Sequence, residues 1–139
     1  MLSVSNLDLF YGDAQALSGV SLEIREKEIV AIVGANGAGK TSLIRTIAGI
    51  ERPRSGKIVF GNHEITNLPS HAICNRGIGQ VAEGRQVFPT LSILENLQLG
   101  AMLPRARAGA KRTLEEVFTM FPRLAERRAQ LAGTLSGGE

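Results

Sequence analysis

The segment Gly34-Ala35-Asn36-Gly37-Ala38-Gly39-Lys40-Thr41 fits the pattern G-x-x-x-x-G-K-[ST] without a mismatch. The apolar run Ile29-Val30-Ala31-Ile32-Val33 precedes it and predicts a buried strand. Leu43, Ile44, Ile47 and Ala48 follow at helical spacing. Strand, glycine loop and helix in succession form the context in which such a loop holds phosphate.

The chemistry needs these residue types in this order. A triphosphate brings several negative charges close to the backbone. Gly34, Gly37 and Gly39 let the chain take positive φ and approach the phosphates without a Cβ in the way. The loop through Asn36, Ala38 and on to Ser42 then turns successive N–H groups inward as an anion nest. A helix starting near Lys40 adds its positive dipole end. Lys40 is expected to reach the β- and γ-phosphates, and the Thr41 hydroxyl to ligate Mg²⁺.

The rest of the composition sets bounds. At 139 residues the chain is one domain or part of one. Its 43% hydrophobic content suits a packed core, not disorder. The net charge of +3 is a mild excess, compatible with phosphate ligands or an anionic membrane surface. Cys74 is the single cysteine, which excludes an internal disulfide and fits a reducing compartment. No run approaches the roughly 18 apolar residues of a membrane span. The opening residues Met1 to Asn6 lack a signal-peptide pattern.

Along the chain, Leu2 and Val4 alternate, then Leu7 and Leu9 alternate in the opposite phase. That predicts a strand with a slip near Asn6. Val20, Leu22 and Ile24 predict a half-exposed strand, and residues 57–60 with 64–66 a hairpin around Gly61-Asn62. Pro69 to Arg76 reads as a short helix, and Ile78 to Val81 as another core strand. Ser92 and Glu95 form a capping box for a helix ending near Gly100 to Pro104. The basic stretch Pro104 to Arg112 reads as a solvated connector. Leu114, Val117, Phe118 and Phe121 recur as the core-facing stripe of a further helix.

The chain closes on Leu135-Ser136-Gly137-Gly138-Glu139. A Leu-Ser-Gly-Gly motif about a hundred residues after a phosphate loop is far more specific than either motif alone. Together they resemble the nucleotide-binding domain of an ABC ATPase, and the resemblance runs from Leu2 through Glu139. Gly49 and Arg54-Ser55-Gly56-Lys57-Ile58 resemble the family's turn into the hairpin. The resemblance implies an α/β fold: a P-loop NTPase core, an N-terminal antiparallel β subdomain and an α-helical subdomain. It places the β and core portion at about residues 1–91 and the helical subdomain at about 92–139.

The resemblance also implies roles. Tyr11 matches the aromatic that stacks on adenine, for which a tyrosine offers a rigid π-face. Glu83 occupies the position where the family usually carries a glutamine that contacts Mg²⁺ and the attacking water. Gln80, three residues earlier, is the competing candidate. A glutamate ligates Mg²⁺ as a glutamine does but adds a charge. Lys40 and Glu83 are thus the candidate catalytic residues. Ser136, Gly137 and Gly138 would bind, in trans, the γ-phosphate held by the loop of a second ATPase subunit paired head to tail. Glu83-Gly84-Arg85 with Val87-Phe88 resembles the second ATPase subunit of branched-chain amino acid importers. That implies ATP and Mg²⁺ as ligands, integral membrane permeases as partners, a solute-binding protein acting indirectly and no nucleic acid. It also implies a peripheral place on the cytoplasmic face of the inner membrane.

The sequence contains no apolar strand ending in Asp-Glu (the Walker B strand) and no switch histidine; His63 and His71 read as surface residues. The fold is therefore expected to be truncated before Walker B, and this stretch alone to hydrolyse ATP negligibly. A catalytically inactive nucleotide-binding fragment, and a soluble ABC-type ATPase acting on nucleic acid or ribosomes, are the alternative readings.

Overall fold

The computed structural model of the chain describes residues 1–84 and 86–137. The chain divides into two compact units, Met1–Gln80 and Val81–Glu139. The division falls ahead of the boundary near residue 91 expected from sequence. Hydrogen bonding is the reason. The Phe88 amide donates to Asn96 Oδ1 at 2.8 Å, and Asn96 Nδ2 donates to Phe88 O at 3.0 Å. Gly133 N donates to Pro89 O at 3.1 Å. These bonds commit the loop before residue 91 to the helical unit.

The first unit holds β1 (Leu2–Tyr11), β2 (Ala14–Ile24), α1 (Lys40–Ile47), β3 (Ser55–Phe60), β4 (His63–Glu64) and α2 (Ser70–Asn75). The strands form an antiparallel sheet in the order β2-β1-β3-β4. The slip expected near Asn6 is present. The β1–β2 register shifts between Val4 and Leu7, and Asn6 takes a φ of 48°, which a short polar side chain tolerates. The shift moves the alternation by one residue, so Val4, Leu7 and Leu9 all face inward. They pack with Leu17, Leu43, Ile58, Ile65 and Ile73 in one buried cluster. Leu43 is the contribution of α1, so the helix after the glycine loop is anchored on the sheet.

Asp8 ties three strands together. Its carboxylate accepts from Ser55 Oγ at 2.6 Å, from the Gly19 amide at 2.8 Å and from Gln15 Nε2 at 3.3 Å. The Ser55 hydroxyl, followed by the Gly19 amide, holds the carboxyl below its ordinary range. A depressed folded-state value contributes stability that is present above the unfolded value of about 3.9 and is lost as pH falls through the folded one. Asp8→Asn is therefore expected to lower the urea midpoint at about pH 7, with the gap from wild type closing below about pH 4. Urea melts across that pH range check this; a gap that persists in acid would contradict it.

Two expected strands are absent as such. Residues 28–33 carry no regular secondary structure and pair with no described strand, and Ile29 is 99% and Val33 88% exposed. Residues 78–81 likewise form no strand, and Val81 is fully exposed. An apolar run becomes a buried strand only when neighbours supply ladder partners and covering layers. None of the described strands does so here.

The second unit is helical: α3 (Ile93–Gly100), α4 (Pro104–Arg107), α5 (Ala110–Met120) and α6 (Pro122–Glu126), then a 3-10 turn at Ala132–Thr134. The capping box is complete. Ser92 Oγ accepts from the Glu95 amide at 3.2 Å, and Glu95 Oε2 accepts from the Ser92 amide at 2.8 Å. Ser92→Ala is expected to cost about 1 kcal/mol of helix stability, read as faster amide exchange in α3. Unchanged exchange there would show that the cap is not used. The basic stretch Pro104 to Arg112 is not a loop: it forms α4, with Pro104 at a first-turn position, and the start of α5. Proline's fixed φ suits a helix start, a signal outweighed in the sequence by the charge run. Leu114, Val117 and Phe118 are half-buried on α5, as the stripe predicts, whereas Phe121 caps the helix and is 51% exposed.

Candidate nucleotide site

The glycine loop runs from residue 34 into α1, within the first unit. Gly37 and Gly39 both take a φ of 85°. Gly39 is the N-cap of α1 and, lacking a side chain, supplies no cap of its own. The first N–H groups of a helix have no intrahelical acceptor, so this end presents open donors beside the dipole's positive pole. Lys40 curls over the loop: its Nζ donates to Gly34 O at 2.8 Å and Ala35 O at 2.7 Å. The ammonium is thus already at the loop's mouth. Open amides, two left-handed glycines and a cation held at the mouth fit a polyphosphate by charge and by shape.

Thr41 is exposed on the first turn of α1. Ser42, next to it, meets Tyr11 from the end of β1: the Tyr11 hydroxyl donates to Ser42 Oγ at 3.3 Å. Tyr11 is 46% exposed. Thr46, almost fully buried, donates from Oγ1 to Ser42 O at 2.7 Å and steadies this turn. The fold thereby brings together Tyr11, Gly34, Asn36, Gly37, Ala38, Gly39, Lys40, Thr41 and Ser42.

The remaining sequence candidates belong to the second unit. Glu83 lies in an exposed loop, where its carbonyl accepts from Gln86 Nε2 at 3.3 Å. Ser136 and Gly137 follow the 3-10 turn and are exposed. Their approach is fixed by bonds from Ile93 N to Gln130 O and from Ala132 N to Leu91 O, at 3.0 and 2.9 Å. Gly138 lies outside the described residues. His63 and His71 are exposed, as expected. Among the described residues no three of His, Cys, Asp or Glu converge as a metal cage. The exposed Thr41 hydroxyl on α1 is the kind of oxygen donor that suits Mg²⁺ together with phosphate oxygens.

A cavity of 970 Å³ lies elsewhere, among α3, α4 and α5, lined by Leu97, Met102, Leu114 and Val117 with Arg107 and Lys111. Arg107 Nε donates to Met102 O at 2.9 Å across it. It contains none of the residues singled out for nucleotide chemistry. The sequence reading missed Arg45, which on α1 pairs with Glu51 at 2.8 Å. Its only sequence signal was a charge on an otherwise apolar-patterned helix.

A phosphate-cradling loop capping a helix on an α/β unit defines a nucleotide-binding protein of the phosphate-loop class. The sequence matches the ABC transporter family over residues 17–139, and the chain belongs to that family. It is 42% identical, over all 139 residues, to the high-affinity branched-chain amino acid transport ATP-binding protein BraG of Pseudomonas aeruginosa, covering 59% of that protein. The structure of an ATP-binding subunit of an ABC transporter superimposes with a TM-score of 0.86 at 29% identity, covering 99% of this chain and 57% of the other. A dimeric ATP-binding cassette in a post-hydrolysis state, bound to ADP and Pi, gives a TM-score of 0.79 at 28% identity, with 99% and 64% covered. The chain spans about three fifths of the length of these relatives. Among the described residues no helix is long and apolar enough to cross a membrane.

Proposed function

We propose that this chain is the nucleotide-binding part of the ATPase subunit that energises an ABC importer for branched-chain amino acids. The observation that carries the reading is the open-amide loop from Gly34 to Thr41 with Lys40 held at its mouth. The likeness to BraG supports the solute class. When bound, MgATP supplies the phosphoanhydride whose hydrolysis releases the free energy for transport.

The chain's own residues do the positioning. The loop amides and Lys40 hold the phosphates, with Lys40 exchanging its two carbonyl partners for phosphate oxygens. Tyr11 covers the base. Thr41 and Glu83 are the residues that would hold Mg²⁺, which would offset the phosphate charge, and the Glu83 carboxylate would accept a hydrogen bond from water. Ser136, Gly137 and Gly138 would donate to the γ-phosphate held by the loop of a second ATPase subunit, so that bound ATP joins the two chains head to tail. Permease subunits in the membrane take up the resulting motion, and the ATPase sits on the cytoplasmic face.

The test is uptake by proteoliposomes containing the intact protein with its permease subunits and solute-binding protein. ATP supplied on the ATPase side is expected to drive accumulation of labelled leucine, isoleucine or valine, and Ser136→Ala to stop it. ATP hydrolysis with no uptake of any of the three would refute the solute assignment.

A further inference from the structure

The segment that opens α3 and the segment that leads to Ser136 are bonded into one block, with Asn96 of α3 at its centre. Asn96 Oδ1 accepts from the Phe88 amide at 2.8 Å, and its Nδ2 donates to Phe88 O at 3.0 Å and Ser92 O at 2.9 Å. Nδ2 also reaches Leu91 O at 3.4 Å, and that carbonyl accepts from the Ala132 amide at 2.9 Å. Ser92 and Leu131 form an isolated antiparallel bridge. Gly133 approaches Pro89 so closely that a Cβ built on it meets Pro89 Cβ at 2.8 Å and Pro89 O at 3.0 Å.

From these bonds we infer that Asn96 is a positioning residue for ATP hydrolysis: it fixes the 88–92 segment against which the 131–134 turn is set, and so aims Ser136 and Gly137 at the γ-phosphate of the second subunit's site. The inference rests on the role proposed for Ser136 above.

Closing the helix does not require this asparagine. The Ser92–Glu95 capping box is complete without it, and the Ile93 and Leu94 amides find acceptors in Gln130 O and Arg128 O, both at 3.0 Å. A side-chain amide carries a donor and an acceptor side by side, as a peptide group does. It therefore pairs with both backbone groups of Phe88 as a neighbouring strand would, which neither a carboxylate nor an aliphatic side chain can do. Ser136 and Gly137 are exposed, and the turn ahead of them is rooted at Ala132, which is 5% exposed. Donors to a reacting phosphate act only when already in place, and a misplacement of about 1 Å costs about 100-fold in rate. A turn displaced at its root carries that error out to Ser136.

The test measures MgATP hydrolysis by the intact protein with its permease subunits, and MgADP affinity by calorimetric titration. Wild type is compared with Asn96→Ala, Gly133→Ala, Ser92→Ala, Ser136→Ala and the Asn96→Ala, Ser136→Ala double variant, with far-UV circular dichroism as the check of folding. ADP lacks the γ-phosphate and so reads the glycine loop without the second subunit's serine. Asn96→Ala and Gly133→Ala disturb the block from opposite sides. Each is expected to lower kcat about 10- to 100-fold and to leave MgADP affinity within about 2-fold of wild type. Ser92→Ala weakens the same helix but keeps the asparagine, and is expected to hold kcat within about 2-fold. The double variant is expected to be no slower than Ser136→Ala, because both changes act through one contact. Wild-type kcat in folded Asn96→Ala and Gly133→Ala proteins overturns the inference. An equal loss in Ser92→Ala also does so, by tracing the effect to helix stability, as does a double variant slowed by the product of the single losses. Wild-type kcat in Ser136→Ala overturns instead the reading on which the inference rests.

Discussion

Lys40→Ala is expected to lower MgATP affinity about 100- to 1,000-fold while leaving the first unit folded. The lysine's Nζ stands 2.8 Å from Gly34 O and 2.7 Å from Ala35 O, at the point where phosphate charge would lie. Each charge-assisted hydrogen bond to a phosphate oxygen contributes about 1.5–3 kcal/mol, and two are lost together. At about 1.4 kcal/mol per decade, the lower end already gives the 100-fold figure. The fold itself rests on the cluster around Leu7, Leu9 and Ile58, which Lys40 does not join. Titration calorimetry gives the affinity and a urea melt the stability. Wild-type affinity in a folded Lys40→Ala protein would remove the lysine from the site.

Gly39→Ala is the second large effect, and it acts on the fold and the site together. Gly39 takes a φ of 85°, and a Cβ built there meets Ala16 O at 2.6 Å and Leu17 Cδ2 at 2.8 Å. The left-handed conformation costs an alanine about 1–2 kcal/mol. The carbonyl of Ala16 is backbone of β2 and cannot turn aside like a side chain, so the strand or the helix start must shift. Together these predict about 2–4 kcal/mol of destabilisation, with weaker nucleotide binding because the N-terminus of α1 moves. Gly34→Ala is the control. Its Cβ would meet Ala38 Cβ at 3.4 Å, ordinary contact distance, and its φ lies outside the left-handed region. Equal urea midpoints for the two variants would contradict the steric account.

The parts of the fold that were legible in sequence are those decided by local chemistry. The phase change between Val4 and Leu7 announced the slip at Asn6, and the Ser92–Glu95 spacing announced the start of α3. The glycine loop and its helix were legible for the same reason. What local pattern could not supply was partnership. Ile29 to Val33 has a strand's composition, but strand formation depends on edges elsewhere, and no described strand provides one. The charge of Arg105, Arg107 and Lys111 masked the helical character of residues 104–107. Within the candidate site, the glycine-loop residues follow from the motif, whereas the contact between Tyr11 and Ser42 joins positions far apart in sequence. The Arg45–Glu51 pair depends on a chain reversal after α1 that no motif encodes.

Hydrogen exchange of the intact protein with and without MgATP tests the central claim most directly. The backbone amides from Gly37 to Ser42 are expected to slow on nucleotide addition, and to lose that protection in Lys40→Ala. Unchanged exchange at these amides under saturating MgATP, or protection confined to the cavity among α3, α4 and α5, would contradict it.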